Sequence, residues 1–257
     1  MGDYKQFTVQ IKQKLGIDLS LYKEAQMKRR LTSLREKRGY ENFADYFQAL
    51  AKDKTLLQEF LDRMTINVSE FYRNPKRWEV LEKKIIPNLL HNRKKVKIWS
   101  AACSTGEEPY SVAMLMNEYF PDVEFEIIAT DIDEAVISKA KLGIYTEQSL
   151  RDLPEIMKNK YFVNKNGVHH IDPAIKKLIQ FKRHNLLADP YPKNIDLVLC
   201  RNVLIYFTDE AKDYIYHQFS ESLGPNGILF VGSTEQIFNA DHYRLSLIDT
   251  FFYQKNS

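Results

Sequence analysis

From Val96 onward, short apolar runs alternate with stretches of helical periodicity, and this alternation limits the possible fold more than any other feature of the chain. The predicted strands cover residues 96–99, 124–130, 195–200 and 227–231. Strands separated by helices need crossover connections, which favour parallel pairing in one doubly wound sheet with helices on both faces. The stretch 243–253 adds a possible antiparallel hairpin at the end of an α/β domain.

The first 65 residues carry no strand pattern and instead show helical periodicity. Phe7, Ile11 and Leu15 recur every four residues, and Gly16 then ends the pattern. Three further helices are predicted at about 21–38, 43–51 and 56–64. We therefore expect an N-terminal all-helical domain ahead of the sheet.

The alternation is interrupted between Tyr161 and His184, where Asn-Lys-Asn-Gly at 164–167 indicates a turn. We interpret this interruption, about 161–184, as a small inserted β-subdomain. The predicted organisation is a helical domain at 1–65, a linker and helix at 66–95, and an α/β domain at 96–257.

Composition excludes several classes of protein. No apolar run approaches the ~20 residues that a membrane span needs, and the N-terminus lacks the pattern of a signal peptide. Cys103 and Cys200 are far apart, which favours reduced core thiols in a cytoplasmic protein, and the histidines show no metal-ligand spacing. We expect a cytoplasmic protein without a metal.

The loop after the first strand, S-A-A-C-S-T-G-E-E-P-Y-S at 100–111, is rich in small residues that let a backbone approach a ligand closely. It contains neither the G-x-G-x-x-G fingerprint nor a Walker lysine, which disfavours NAD and ATP. The acidic pair Glu107 and Glu108 would repel phosphates. A ligand with an amine and a sulfonium group fits this loop better.

Polar residues also follow the second and third strands, and ligands of open parallel sheets bind at this edge. Asp131 can accept hydrogen bonds from ribose hydroxyls, but an Asp in this place can equally cap the next helix. Arg201 and Asn202 form a polar pair between two apolar segments, and Tyr206 would face the same cleft. The residues alone leave both readings of Asp131 open.

Four strings together resemble the CheR family of chemotaxis receptor methyltransferases. They are the loop at 100–111, T-I-N-V-S-E-F-Y-R-N-P at 65–75, A-T-D-I-D at 129–133 and C-R-N-V-L-I-Y-F at 200–207. The resemblance covers nearly the whole chain, and the loop string is very specific. It implies a class I methyltransferase with a Rossmann-like sheet that uses S-adenosylmethionine, releases S-adenosylhomocysteine, and esterifies glutamate side chains on chemotaxis receptors.

The resemblance also implies a set of site residues. Arg73 would hold the incoming carboxylate or the cofactor, and Tyr206 would line the methyl-transfer pocket. Ser69 stands at a position that we associate with Thr in this family, which keeps the hydroxyl group. The implied cofactor-binding residues are Asn67, Ser69, Arg73, Glu107, Asp131, Asn185, Leu186, Arg201 and Asn202.

The second predicted helix is strongly basic: residues 23–38 contain seven Lys and Arg residues against Glu24 and Glu36. Chemotaxis receptors carry their methylated glutamates on a long acidic helical bundle, so the resemblance makes this helix a candidate docking surface. The alternative is an ordinary solvated face. The candidate docking residues are Lys28, Arg29, Arg30 and Arg35.

Two rival functions share this fold. A nucleic-acid methyltransferase could use the basic helix to meet phosphates, but the chain has no aromatic-interleaved basic stripe and no N-P-P-Y motif. A non-catalytic module could bind the cofactor and report on it. We expect neither nucleic-acid binding nor membrane insertion, and nothing in the sequence requires more than a monomer.

Overall fold

The computed structural model describes residues 2–65, 67–91 and 94–256. Its N-terminal part is a bundle of four helices around an aromatic core, in which the ring of Phe7 lies 4.8–6.1 Å from those of Phe43, Tyr46 and Phe60. These four residues are 3% exposed or less, so their burial supplies much of the bundle's hydrophobic stabilisation. The helices are α1 (Asp3–Leu15), α2 (Glu24–Lys37), α3 (Phe43–Lys52) and α4 (Lys54–Thr65).

A seven-stranded, mostly parallel sheet forms the second part, in the order β6-β2-β1-β7-β8-β10-β9. Pairing is parallel from β6 to β8, and β10 and β9 close the sheet as an antiparallel hairpin. This order confirms the predicted α/β doubly wound fold. Its strands are β1 (Lys95–Ala101), β2 (Glu124–Asp131), β6 (Ile179–Arg183), β7 (Ile195–Cys200), β8 (Leu223–Val231), β9 (Leu245–Asp249) and β10 (Phe252–Lys255).

Helices cover both faces of this sheet, and successive strand residues alternate between two cores. In β1, Val96 and Ile98 pack in one core, and Trp99 and Ala101 pack in the core that reaches the N-terminal bundle. The further α-helices are α5 (Pro75–Val80), α6 (Ile86–Leu90), α7 (Glu107–Tyr119), α8 (Glu134–Leu142), α9 (Glu155–Tyr161), α10 (Pro173–Lys176) and α11 (Asp209–Ser222), with a π-helical turn (Leu81–Ile85) between α5 and α6. None of the helices in the described ranges is long and apolar enough to cross a membrane.

A second, three-stranded antiparallel sheet lies between α8 and β6, in the order β3-β5-β4. Its strands are β3 (Ile144–Tyr145), β4 (Phe162–Lys165) and β5 (Val168–Ile171). The expected insertion at 161–184 therefore differs from the structure at both ends. The small sheet starts earlier, at Ile144, and the last expected segment is β6, which pairs with β2 in the main sheet.

The helical bundle is joined to the sheet by backbone pairing as well as by side chains. The Lys23 amide donates to the Tyr206 carbonyl at 2.9 Å, and the Thr208 amide donates to the Leu21 carbonyl at 2.9 Å. On α4, Gln58 donates to the carboxylate of Asp133 at 3.1 Å. These contacts hold the bundle against the carboxyl ends of the strands.

Candidate active site

A cleft opens at the carboxyl ends of β1, β2 and β7, with the end of α4 and the following linker on its other side. Parallel α/β sheets bind ligands at this edge. The cleft is lined by Tyr22, Met64, Thr65, Asn67, Val68, Ser69, Glu70, Arg73, Ala102, Cys103, Ser104, Glu108, Asp131, Ile132, His184, Asn185, Leu186, Arg201, Asn202, Val203, Tyr206 and Phe207.

The loop after β1 follows an unusual backbone path. Ala102, Ser104 and Gly106 all have positive φ, of 60°, 48° and 95°. A Cβ at Gly106 would lie 2.9 Å from the Cβ of Ala140, so glycine is required there for close packing as well as for its backbone angle. This path brings the backbone amide of Ser104 to 2.8 Å from Asp131 Oδ2.

Asp131 ends β2 with its carboxylate at the cleft and only 6% of the residue exposed. Burial raises the pKa of this carboxyl to about 6, although the amides of Asp133 and Ser104 stabilise its charged form. The side chain that caps α8 belongs to Asp133, which accepts from the Ala135 amide. Capping of this helix thus uses Asp133, and the Asp131 carboxylate is left at the cleft.

The two acidic residues of the loop occupy different positions. Glu108 lines the cleft, accepts from Ser100 Oγ at 2.8 Å and lies 3.7 Å from a guanidinium nitrogen of Arg201. Glu107 accepts from Thr105 Oγ1 at 2.7 and 2.9 Å beside the cleft wall. Burial raises the pKa of both carboxyls. The resemblance implied Glu107 as the cofactor-binding residue, but Glu108 is the one of the two that lines the cleft.

Arg201 is buried between aromatic rings and braces the linker. Its guanidinium lies 4.5 Å from the centre of the Phe230 ring and 5.6 Å from that of Trp78, and it donates to the carbonyl of Arg73 at 2.7 Å. Burial lowers the pKa of Arg201, and the carboxylate of Glu108 opposes this shift. Arg201 therefore links the cleft wall to the turn that carries Arg73.

Arg73 lies in this turn, with its side chain at the cleft. Its neighbours Tyr72 and Asn74 have positive φ values of 52° and 63°, and Pro75 then starts α5. The side chain is half-buried, and within the described residues its guanidinium donates to the Val68 carbonyl at 3.5 Å. Arg73 thus precedes an Asn-Pro turn and also presents a guanidinium to the cleft.

The other predicted cofactor residues lie along the rim of the cleft. Asn67 donates to Thr65 Oγ1 at 2.9 Å and to Asp133 at 3.3 Å. Asn185 uses its side chain within the fold, accepting from the Leu187 amide and donating to the Gly16 carbonyl. The remaining predicted residues that line the cleft are Ser69, Leu186 and Asn202.

Tyr206 connects the cleft to the basic helix. Its ring lines the cleft, and the guanidinium of Arg30 lies 5.0 Å from the ring centre. This contact could not be predicted from the sequence, because the two residues are distant in the chain and meet only where the bundle packs on the sheet.

The four candidate docking residues do not share one surface. Lys28 and Arg29 are exposed, and Arg30 turns toward Tyr206. Arg35 instead packs over the Phe43 ring at 4.9 Å, with its side chain 13% exposed, which is a poor position for docking. A residue that sequence reasoning missed, Arg63 of α4, lines a shallow depression with Arg29 and Arg30. We call Arg29, Arg30 and Arg63 the basic face.

A histidine pair also comes together outside the cleft. The ligand-type atoms of Asp213, His217 and His242 lie within 4.8 Å of one another, although the sequence spacing did not suggest a cluster. All three side chains are 45–62% exposed. The Nε2 atoms of His217 and His242 lie 4.0 and 3.7 Å from Asp213 Oδ1.

Comparison with known proteins identifies the family. The model of the CheR methyltransferase all-alpha domain matches residues 2–65, and the model of the CheR methyltransferase SAM-binding domain matches residues 67–252. The chain belongs to the CheR methyltransferase family. The chain is 47% identical to a chemotaxis protein methyltransferase of Listeria monocytogenes, over 98% of this chain and 97% of that protein. It is 34% identical to a chemotaxis protein methyltransferase of Borreliella burgdorferi, over 94% of this chain and 89% of that protein.

S-adenosylmethionine, the cofactor of this family, fits the residues of the cleft. Buried polar atoms of three lining residues have no hydrogen-bond partner within the described part of the chain: Ser104 Oγ, His184 Nδ1 and Arg201 Nε. Buried polar atoms are normally satisfied, so such a cluster indicates a place for a polar ligand. The carboxylates of Asp131 and Glu108 suit a ligand with ribose hydroxyls and a positive charge.

Cofactor affinity should depend on pH through Asp131. In the role expected for Asp131, the ionised carboxylate would accept hydrogen bonds from ribose. Its pKa of about 6 means that protonation would then reduce affinity as the pH falls through that value. At about pH 5 only about one-tenth of the molecules keep the charge, so S-adenosylhomocysteine should bind about tenfold more weakly than at about pH 8. Calorimetry across this range measures the effect, and an unchanged affinity would contradict it. Asp131→Asn should remove most of the dependence.

Proposed function

We propose that this CheR-family protein transfers a methyl group from S-adenosylmethionine to glutamate side-chain carboxylates of chemotaxis receptors, forming glutamate methyl esters. The observation that carries this proposal is the position of Arg73. Its guanidinium stands at the cleft with a single long hydrogen bond among the described residues, whereas Arg201 is fixed between aromatic rings. A cation in this position is suited to an anionic acceptor.

The reaction needs little from the protein beyond binding and alignment. A free glutamate has a pKa near ~4.3, so its carboxylate is already the nucleophile at neutral pH and no general base is required. S-adenosylmethionine, when bound, supplies an electrophilic methyl group on a sulfonium. The protein's task is to hold the acceptor carboxylate in line and to exclude water, because charge is lost toward the transition state.

Arg73 and Tyr206 are the residues that we assign to the transfer step. Arg73 orients the carboxylate, and a firm ion pair would slow the reaction by stabilising the ground state. Its half-buried setting and 3.5 Å contact are compatible with a loose positioning contact. Tyr206 forms part of the wall beside Val203 and Phe207, which keeps water from the methyl group.

The remaining assignments concern the cofactor. We assign Asp131 to the ribose hydroxyls of the cofactor. We assign the acidic loop to the positively charged end of the cofactor, with Glu108 on the cleft wall and Glu107 behind it. Glu107 would act indirectly, since it shares hydrogen bonds with Thr105 and Ser69. The other residues of the proposed cofactor site are Asn67, Ser69, Arg73, Asn185, Leu186, Arg201 and Asn202.

The partner that we propose is the acidic helical bundle in the cytoplasmic part of a transmembrane chemoreceptor. The basic face adjoins the cleft, because Arg30 contacts Tyr206. A receptor helix that lies along Arg29 and Arg63 would therefore bring its glutamates close to Arg73. Opposite charges on the two surfaces would increase the rate of association.

Charge reversal on the basic face tests this docking. We expect Arg29→Glu combined with Arg63→Glu to lower kcat/KM for receptor by about tenfold at low salt, because repulsion replaces steering. The defect should shrink as salt screens the charges. Initial rates at several ionic strengths measure it, and calorimetry should show unchanged cofactor affinity. Arg30 is left intact because it contacts Tyr206.

The matched control is Lys139→Glu with Lys141→Glu, an equal change in net charge on exposed residues near the end of α8. It should leave receptor methylation within about twofold of the original rate. If both double variants lose activity equally, or if neither does, the basic face is not the docking surface.

Mapping the modified residue tests the proposed function itself. Receptor-containing membranes are incubated with the protein and S-adenosylmethionine, digested, and searched by mass spectrometry for a methyl group on glutamate. The same incubation with DNA and RNA tests the rival nucleic-acid reading. Methyl groups on receptor glutamates alone support the proposal, whereas methylated nucleic acid or methylated lysine would replace it. Cofactor binding without any methyl transfer would favour a non-catalytic module that binds the cofactor and reports on it.

A further inference from the structure

The segment that carries Asn202 and Tyr206 has a backbone shape that attracts an anion. Asn202 is left-handed, with φ of 63°, and Val203 is right-handed, with φ of −116° and ψ of −45°. Alternation of these two conformations turns successive amide groups toward one point and forms a nest for negative charge. Here the amides of Asn202, Val203 and Leu204 converge.

The anion in this nest is the carboxylate of Glu235, a residue only 4% exposed. Its Oε1 accepts from the amides of Val203 and Leu204, both at 2.6 Å, and its Oε2 accepts from Asn202 at 2.6 Å. A fourth amide, that of Gly232, donates to Oε2 at 2.8 Å. Four backbone donors thus meet one side chain from the loop after β8.

Gly232 gives the carboxylate the space for this arrangement. A Cβ on Gly232 would lie 2.5 Å from Glu235 Oε2 and 2.6 Å from the Asn202 amide nitrogen. Both distances are well below van der Waals contact. Even the smallest side chain would push the carboxylate away from the nest, so residues 232 and 235 act as one unit.

We propose that Glu235 is a positioning residue that fixes the 202–206 segment in its cofactor-binding shape. The inference rests on the proposed roles of Asn202 and Tyr206, which both line the cleft. Glu235 is absent from the cleft lining, so it acts through the backbone of the residues that it holds. Its carboxylate aligns Asn202 toward the cofactor, and the following turn, Leu204–Tyr206, sets the position of the tyrosine ring.

Glu235→Gln is the most selective test, because it keeps the size of the side chain and removes its charge. An amide offers one acceptor oxygen, and its NH₂ group would face two of the backbone amides, so two of the four hydrogen bonds are lost. We expect S-adenosylhomocysteine to bind at least tenfold more weakly by calorimetry. In methyl-transfer assays, KM for S-adenosylmethionine should rise while KM for the acceptor stays within about twofold.

Gly232→Ala is the second variant, since it displaces the same carboxylate without altering its chemistry. It should reproduce the loss of affinity and the change in KM. Ile215→Val, a fully buried substitution in α11, serves as the stability control. It should lower Tm and leave cofactor affinity within about twofold.

The positioning role is supported if Glu235→Gln and Gly232→Ala both bind the cofactor more weakly while Ile215→Val keeps the original affinity. Affinity within twofold of the original in a folded Glu235→Gln or Gly232→Ala protein overturns it. An equal loss of affinity in Ile215→Val also overturns it, because general destabilisation would then be the cause. These binding measurements need no receptor, so they stay informative even if receptor methylation is never observed.

Discussion

Asp131→Ala should weaken S-adenosylhomocysteine binding about 100-fold. An ionised carboxylate that accepts two hydroxyl donors makes charge-assisted hydrogen bonds, each worth about 1.5–3 kcal/mol. Loss of both corresponds to about 3 kcal/mol or more, and each 1.4 kcal/mol is tenfold in affinity. Titration calorimetry at about pH 8, where the carboxyl is ionised in the free protein, measures the change directly.

The substitution also removes the acceptor of the Ser104 and Asp133 amides, so folding must be checked. Asp172→Ala is a matched control: Asp172 accepts from the Ala174 amide at the start of α10, outside the cleft. It removes a comparable carboxylate–amide contact and should leave cofactor affinity unchanged. If Asp131→Ala binds S-adenosylhomocysteine with the original affinity, the ribose-binding role of Asp131 is excluded.

Arg73→Ala should lower kcat/KM for the acceptor about 100-fold, with a smaller loss of cofactor affinity. The guanidinium offers charge-assisted hydrogen bonds to a carboxylate, and loss of alignment adds to the effect. The turn itself should survive, because Arg201 and Trp78 donate to the backbone carbonyl of Arg73 at 2.7 and 3.1 Å. Steady-state kinetics with receptor membranes measure the change.

Arg73→Lys should recover part of the activity, since it keeps the charge but loses the planar donor pair. Lys76→Ala, at an exposed position on the first turn of α5, is the control and should be nearly neutral. If Arg73→Ala retained full kcat/KM, Arg73 would not be the residue that orients the acceptor carboxylate, and another residue would have to do so.

The sequence predicted the strands that are long and apolar. β1, β2 and β7 are central strands, each with an apolar, largely buried stretch toward its carboxyl end, and their positions agree with the prediction to within one or two residues. β6 was missed as a strand of the main sheet. It lies at the sheet's edge, its sequence Ile-Gln-Phe-Lys-Arg is half polar, and its partner β2 is about 50 residues earlier.

The small sheet was only partly predicted for a similar reason. β3 has two residues, which is too short for a recognisable period, and it becomes a strand only by pairing with His169 and His170 of β5. Local propensity cannot indicate such a strand, because its hydrogen bonds come entirely from a distant partner.

Site residues that follow strands could be predicted from the sequence. Residues whose position depends on tertiary contacts were harder to predict. Asp131, Arg201 and Asn202 directly follow or end strands, and all three line the cleft. Which of the adjacent Glu107 and Glu108 faces the cleft depends on how the first turn of α7 sits against the loop. Glu235 was missed because its four amide partners identify it only in the folded chain.

The central claim, ester formation on receptor glutamates, is tested most directly by the stability of the product in alkali. Radiolabelled methyl groups are transferred from S-adenosylmethionine to chemoreceptor membranes, which are then treated with mild base. We predict that label becomes bound to the receptor and is then released as volatile methanol, because carboxyl methyl esters hydrolyse under these conditions. Label that stays on the receptor after base treatment would mean N-methylation and would contradict the account.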